Sequence, residues 1–135
     1  MKIALVTGAS KGIGKAIAIA LAKDGYSLVI NFKSDHKSAE DTLKECDKYS
    51  HDNILVKADI SEEKDVVKIF ETIKEKFGHI DVLINNAGIF DEDDGVVNIK
   101  AFDNIYKNNF LSCLLVTKYA LPLMNIGKII NISSI

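Results

Sequence analysis

The chain has 135 residues, 47% of them apolar and 27% charged, with a formal net charge of −2. This is the scale of one globular domain that buries roughly two-thirds of its unfolded surface. The lysines are spread rather than bunched, so the electrostatic footprint of a nucleic-acid binder is missing, and the apolar stretch Ile13–Ala22 has about half the length a membrane span needs, with Lys15 inside it.

Taken in chain order, Ile3–Val6 is an apolar run that reads as a buried strand. It leads into TGASKGIG, Thr7 to Gly14, and then into a helix predicted over Gly12–Lys23. A glycine-rich turn between a strand and a helix permits a tight bend and close backbone approach, so amides at the helix N-terminus can face a pyrophosphate. A second strand is predicted at Leu28–Asn31 and a helix at Lys37–Lys48. The third strand, Ile54–Ala58, runs into Asp59. Val66, Phe70, Ile73 and Phe77 then fall at spacings of four, three and four, which is one apolar side of a helix. Ser61 is the expected cap of that helix and Gly78 its end.

A fourth strand, Val82–Ile84, precedes NNAG at Asn85–Gly88, and Asp91–Asp94 reads as a solvated acidic loop. One long helix is predicted over roughly Ala101–Leu123, closing at Pro122. A fifth strand follows at Ile129–Ile132. All five runs have the pattern of strands buried on both faces, but in a five-stranded sheet the strand Lys128–Ser133 is expected to lie at an edge that carries Ile129, Ile130 and Ile132. The βαβαβαβαβ order predicts one doubly wound parallel sheet between helical layers, with its ligand beyond the carboxyl ends of the strands.

Every basic residue is lysine, so a phosphate would be met by point charges rather than by a bidentate fork. Cys46 and Cys113 lack CxxC spacing and read as small buried residues kept reduced, which with no evident secretory leader gives a cytoplasmic expectation. No metal ligand set is assigned.

Three residues separate Gly8 from Gly12, a form that resembles the short-chain dehydrogenase/reductase family. NNAG at the end of the fourth strand and Asp59 in KADIS match two further signatures. The resemblance covers the chain and implies a Rossmann-like α/β/α domain of strand order 3-2-1-4-5 over residues 1–135, expected to be truncated after the fifth strand. It implies cofactor contacts from Thr7, Gly8, Ser10, Lys11, Gly12, Ile13 and Gly14. Asp59 would accept from the adenine amino group, Ile60 would help enclose the ring, and Asn85, Ala87 and Gly88 would line the ribose side. Local readings compete: Asp59 as a neighbour of a helix cap, and Asn85 and Asn86 as turn formers.

NNFLSCLLVTK places Asn109 at the family's asparagine that holds a water of the proton relay, and IINISS places Ser134 at the serine that bonds the substrate carbonyl. The family's following Tyr-x-x-x-Lys, the general acid and the lysine that lowers its pKa, has no counterpart among Tyr26, Tyr49, Tyr106 and Tyr119, of which Tyr119 has only Leu123 at the required spacing. The chain alone is therefore expected to be inactive. At the end of the second strand, where an NAD site carries a carboxylate, stands Phe32, followed by Lys33. With Lys11 and Lys33 to meet a 2′-phosphate, NADP(H) is expected in preference to NAD, unless the strand ends late enough for Asp35 to take the acidic position. The implied reaction is hydride transfer between the nicotinamide and a carbonyl or secondary alcohol, with most likeness to 3-oxoacyl-carrier-protein reductases of fatty acid biosynthesis. The full-length parent is expected to be a homo-oligomer acting on a small-molecule or acyl-thioester carbonyl. The competing reading is a non-catalytic nucleotide- or partner-binding protein.

Overall fold

The computed structural model describes residues 1–88 and 99–133. Five parallel strands lie in one sheet: β1 (Ile3–Val6), β2 (Ser27–Phe32), β3 (Ile54–Lys57), β4 (Val82–Asn85) and β5 (Lys128–Asn131), in the order β3-β2-β1-β4-β5. The helices are α1 (Gly12–Lys23), α2 (His36–Asp47), α3 (Glu63–Lys76), α4 (Ile99–Ile105) and α5 (Ser112–Ala120). The expected strand order is the observed one. Strand order reverses beside β1, which pairs with β2 on one side and β4 on the other, so the chain leaving β1 at Thr7 opens onto the crevice between diverging connections.

Alternation along β1 sorts the core into two halves. Ile3 and Leu5 join Val29 and Leu83 against Val66, Ile69, Phe70 and Ile73 of α3 and Val116 and Ala120 of α5. Ala4 and Val6 face the other way, with Leu28, Ile30 and Ile84, against Ala18 and Ala22 of α1 and Cys46 of α2. The small residues of α1 let it lie close to the sheet, and each large side chain buried by α3 contributes about 1.5–3 kcal/mol.

Four expectations need correction. Only β1, β2 and β4 are buried throughout: β3, at one sheet edge, is mostly half-buried, while β5 stands exposed at the other, the edge position expected for it. Ser61 does not cap α3. Glu62 occupies the N-cap position, and the Ser61 hydroxyl instead donates to Asp59 Oδ1 at 2.6 Å. The long helix is broken into α4, a π-helical segment at Tyr106–Leu111, α5 and a 3-10 turn at Leu121–Leu123 that contains Pro122. Cys46 is buried, which raises its thiol pKa to about 11, but Cys113 is only half-buried, with Sγ 3.4 Å from Asn131 Oδ1. The acidic run Asp91–Asp94 lies outside the described residues. Among the described residues no helix is long and apolar enough to cross a membrane.

Candidate functional site: a cleft at the carboxyl ends of the strands

Thr7 is the first residue past β1 and is buried. Its hydroxyl donates to the Ile84 carbonyl at 3.4 Å and accepts from the backbone amides of Asn86 and Ala87, each at 3.0 Å. The Asn86 side chain returns the connection, donating to the carbonyls of Thr7 at 3.2 Å and Gly8 at 3.1 Å. The loop after β1 and the loop after β4 are thus bound into one body by complementary donors and acceptors, which leaves few of their polar groups orphaned.

Two glycines make that junction possible. Gly8 has φ +62°, and a Cβ there would lie 2.9 Å from Ala87 Cα. A Cβ on Gly14 would overlap the Gly8 carbonyl oxygen and stand 2.5 Å from Asn86 Nδ2. The start of α1 can therefore approach the loop only without a side chain at position 14. Lys11 is the N-cap of α1 and makes no side-chain cap bond, and the first turn holds no acidic residue. Its early amides and the positive end of the helix dipole are left to an anion.

Beside this junction lies a cleft of about 380 Å³. Gly8, Ser10 and Lys11 line one part, Asn31 to Asp35 another, and Ala58, Asp59, Ile60, Asn86, Ala87, Gly88 and Asn108 the rest. Lys33 Nζ is 3.7 Å from Asp59 Oδ2. Asp59 Oδ1 also accepts from the Ser61 amide at 3.0 Å. Burial pushes the Asp59 carboxyl up, yet the Ser61 hydrogen bonds and the Lys33 ammonium outweigh it and leave the group below its ordinary value. Strand β2 ends at Phe32, and Asp35 caps α2, accepting from the Ser38 amide at 3.1 Å and the Ser38 hydroxyl at 2.7 Å. The later strand end that would have put Asp35 in the acidic position does not occur.

Of the residues singled out from sequence, Gly8, Ser10, Lys11, Lys33, Asp59, Ile60, Ala87 and Gly88 line this cleft. Thr7 and Gly14 support it from within, while Gly12 and Ile13 stand at the exposed start of α1. Asn85 is turned elsewhere: its Nδ2 donates to Thr117 Oγ1 at 3.2 Å and Asn131 Oδ1 at 2.9 Å, across to α5 and β5. Asn109 lies in the π-helical segment, with Oδ1 3.1 Å from where a Cβ on Gly88 would stand. Ser134 lies outside the described residues. Asn31 and Asn108, which carry no signal in the sequence, also line the cleft, and Asn86, read from sequence as a turn former of NNAG, joins them.

The geometry fits a dinucleotide. A helix start with glycines at positions 12 and 14, facing the turn at Gly8, suits a phosphate group. A family model described as short chain dehydrogenase matches residues 2–135. Hydroxynaphthalene reductase-like protein Arp2 of Metarhizium guizhouense is 36% identical over 137 residues, covering 99% of this chain and 51% of the relative. An uncharacterized oxidoreductase of Methylorubrum extorquens is 40% identical over 139 residues, covering 99% and 55%. Among solved structures, the angucycline C-6 ketoreductase LanV with bound NADP superposes with a TM-score of 0.90 at 33% identity, over 98% of this chain and 55% of that one. The chain spans about half the length of the curated relatives it matches. A family match running from residue 2 to residue 135, on a sheet whose loops build that cleft, establishes that the chain belongs to the short-chain dehydrogenase family of oxidoreductases.

Proposed function

We propose that this chain is the cofactor-binding part of an NADP(H)-dependent carbonyl reductase. The observation that carries the reading is the company of Lys11 and Lys33 in one cleft whose second strand ends in Phe32 rather than in a carboxylate. A carboxylate at that strand end favours the free ribose 2′-hydroxyl and repels a 2′-phosphate; two ammonium groups do the reverse.

In this reading the amides at the start of α1 hold the pyrophosphate, Lys11 and Lys33 meet the 2′-phosphate, Asp59 accepts from the adenine amino group and Ile60 covers the ring. Asn85, Ala87 and Gly88 belong to the ribose side, with Asn85 acting through its bonds to Thr117 and Asn131 rather than by lining the cleft. Asn109 holds a water of the proton relay, and Ser134 donates to the substrate carbonyl. When bound, the nicotinamide supplies or accepts the hydride. None of the tyrosines of this chain has a lysine four residues on, so the general acid is assigned to a part of the whole protein beyond these residues, and the 135 residues alone are expected to be inactive. Homo-oligomeric assembly and a cytoplasmic location belong to the same proposal.

The substrate is a carbonyl of the 3-oxoacyl-thioester or ring-ketone class; the second class is favoured by the name of the similar angucycline C-6 ketoreductase. The test follows NADPH consumption against 3-oxoacyl thioesters and aryl ketones, with the product of the complete reading frame and with the 135-residue chain. Turnover is expected from the first and not from the second. Turnover by the shorter chain above an Asn109→Ala control would contradict this division of labour.

A further inference from the structure

Asn31 places a buried amide near the end of the buried strand β2, where the preceding Leu28, Val29 and Ile30 are apolar. It is 2% exposed, and an amide at that depth is retained where its polar atoms are bonded. Its Oδ1 accepts from the Gly8 amide at 3.3 Å, while its Nδ2 donates to the carbonyls of Val56 at 3.3 Å and Ala58 at 3.2 Å. The ladder between β1 and β2 ends at the Val6–Ile30 pair. Asn31 stands one residue further on, where the chain after β1 leaves the sheet, and holds that chain twice: its backbone carbonyl accepts from the Ala9 amide at 2.9 Å, and its side chain adds the bond to the Gly8 amide.

We propose that Asn31 is a positioning residue of the cleft, which fixes the spacing between the phosphate-facing turn at Gly8 and the adenine-side wall that begins after Ala58. The inference rests on the dinucleotide reading above and adds a residue to it. Only an amide serves both sides: the turn needs an acceptor, and the two carbonyls near the end of β3 need donors. A leucine supplies neither, and the single oxygen of a serine is too short to span both.

The experiment compares the wild-type chain with Asn31→Leu, of similar size, and Asn31→Ser, which keeps the measurement possible if the leucine variant does not fold. NADPH and adenosine 2′-monophosphate are titrated into each, and amide exchange is followed at Gly8, with the Thr7 amide, bonded to the Ile84 carbonyl, as internal control. NADPH affinity is expected to fall about tenfold, as for the loss of a net hydrogen bond or two. Adenosine 2′-monophosphate, which carries no pyrophosphate, should lose less than about twofold, and Gly8 exchange should rise about tenfold while Thr7 stays unchanged. An equal fall for both ligands, or unchanged Gly8 exchange, would overturn the assignment. A wild-type chain that binds no NADPH would overturn the dinucleotide reading itself; faster Gly8 exchange in the same variants would still support the tether.

Discussion

Lys33 Nζ sits 3.7 Å from Asp59 Oδ2 at the cleft, so the lysine assigned to a 2′-phosphate already has an anionic neighbour on the adenine side. Both side chains are partly exposed, so their pairing contributes about 1 kcal/mol or less, and a phosphate with more charge and more acceptors competes for the ammonium. Lys33→Ala is expected to weaken NADPH binding by about 1–2 kcal/mol and to leave NADH nearly unchanged. Calorimetric titration of both cofactors decides this, and an equal loss for the two would remove Lys33 from the specificity account.

Asp59 also gives a dependence on pH. Its folded value is depressed below the ordinary 3.8, so its contribution to stability is full above that value and is lost as pH falls through the depressed one. Asp59→Asn keeps an acceptor for Ser61 and removes the titration. Denaturant midpoints should converge between wild type and variant on acidification from neutral pH to below 3.8. Parallel curves would show that Asp59 titrates alike in the folded and unfolded chains.

The junction of the first and fourth strand loops rests on Thr7. Thr7→Val keeps the shape and removes the acceptor of the Asn86 and Ala87 amides, at a cost of about 1–3 kcal/mol for buried groups left unpaired. Thr7→Ser restores the hydroxyl and most of the stability. Chemical denaturation of the pair reads the difference, and equal midpoints for Val and Ser would mean that the hydroxyl is not the tie between the loops.

Gly14→Ala puts a Cβ into the Gly8 carbonyl oxygen and against Asn86 Nδ2. Because Gly8 is held by backbone geometry, the start of α1 must move outward, at about 1–3 kcal/mol for an overpacked site. Thermal unfolding should shift down and NADPH affinity should fall with it. A variant as stable as wild type would show that α1 has slack at its first turn.

Much of this was legible in the residues. The runs Ile3–Val6 and Val82–Ile84 are apolar because both faces of a central parallel strand are covered, and TGASKGIG announces a turn because a side chain at its last glycine collides with the Gly8 carbonyl oxygen. What sequence could not supply depends on which neighbours the fold brings to a residue, most of them distant along the chain. Ile54, Leu55 and Val56 look like the residues of β1, but the edge position of β3 leaves them half-buried, whereas the exposure of Ile129 and Ile130 accords with the edge position expected of the fifth strand. Ser61 looks like a cap until Asp59, two residues earlier, takes its hydroxyl. Asn31 reads as the end of an apolar run, and its role depends on Gly8, Val56 and Ala58, more than twenty residues away on either side. The break at Tyr106–Leu111 has no periodic signal, because a π-helical segment does not interrupt apolar composition.

The cleft beside the Gly8–Gly14 turn is proposed to bind a dinucleotide through its pyrophosphate and to prefer the one carrying a 2′-phosphate. Calorimetric titration of the wild-type chain with NADPH and with NADH under identical salt decides both points. Saturable binding of both is expected, with NADPH tighter by about tenfold or more, the scale of one charge-assisted contact; equal affinities would contradict the assignment of Lys11 and Lys33, and no binding of either would contradict the site.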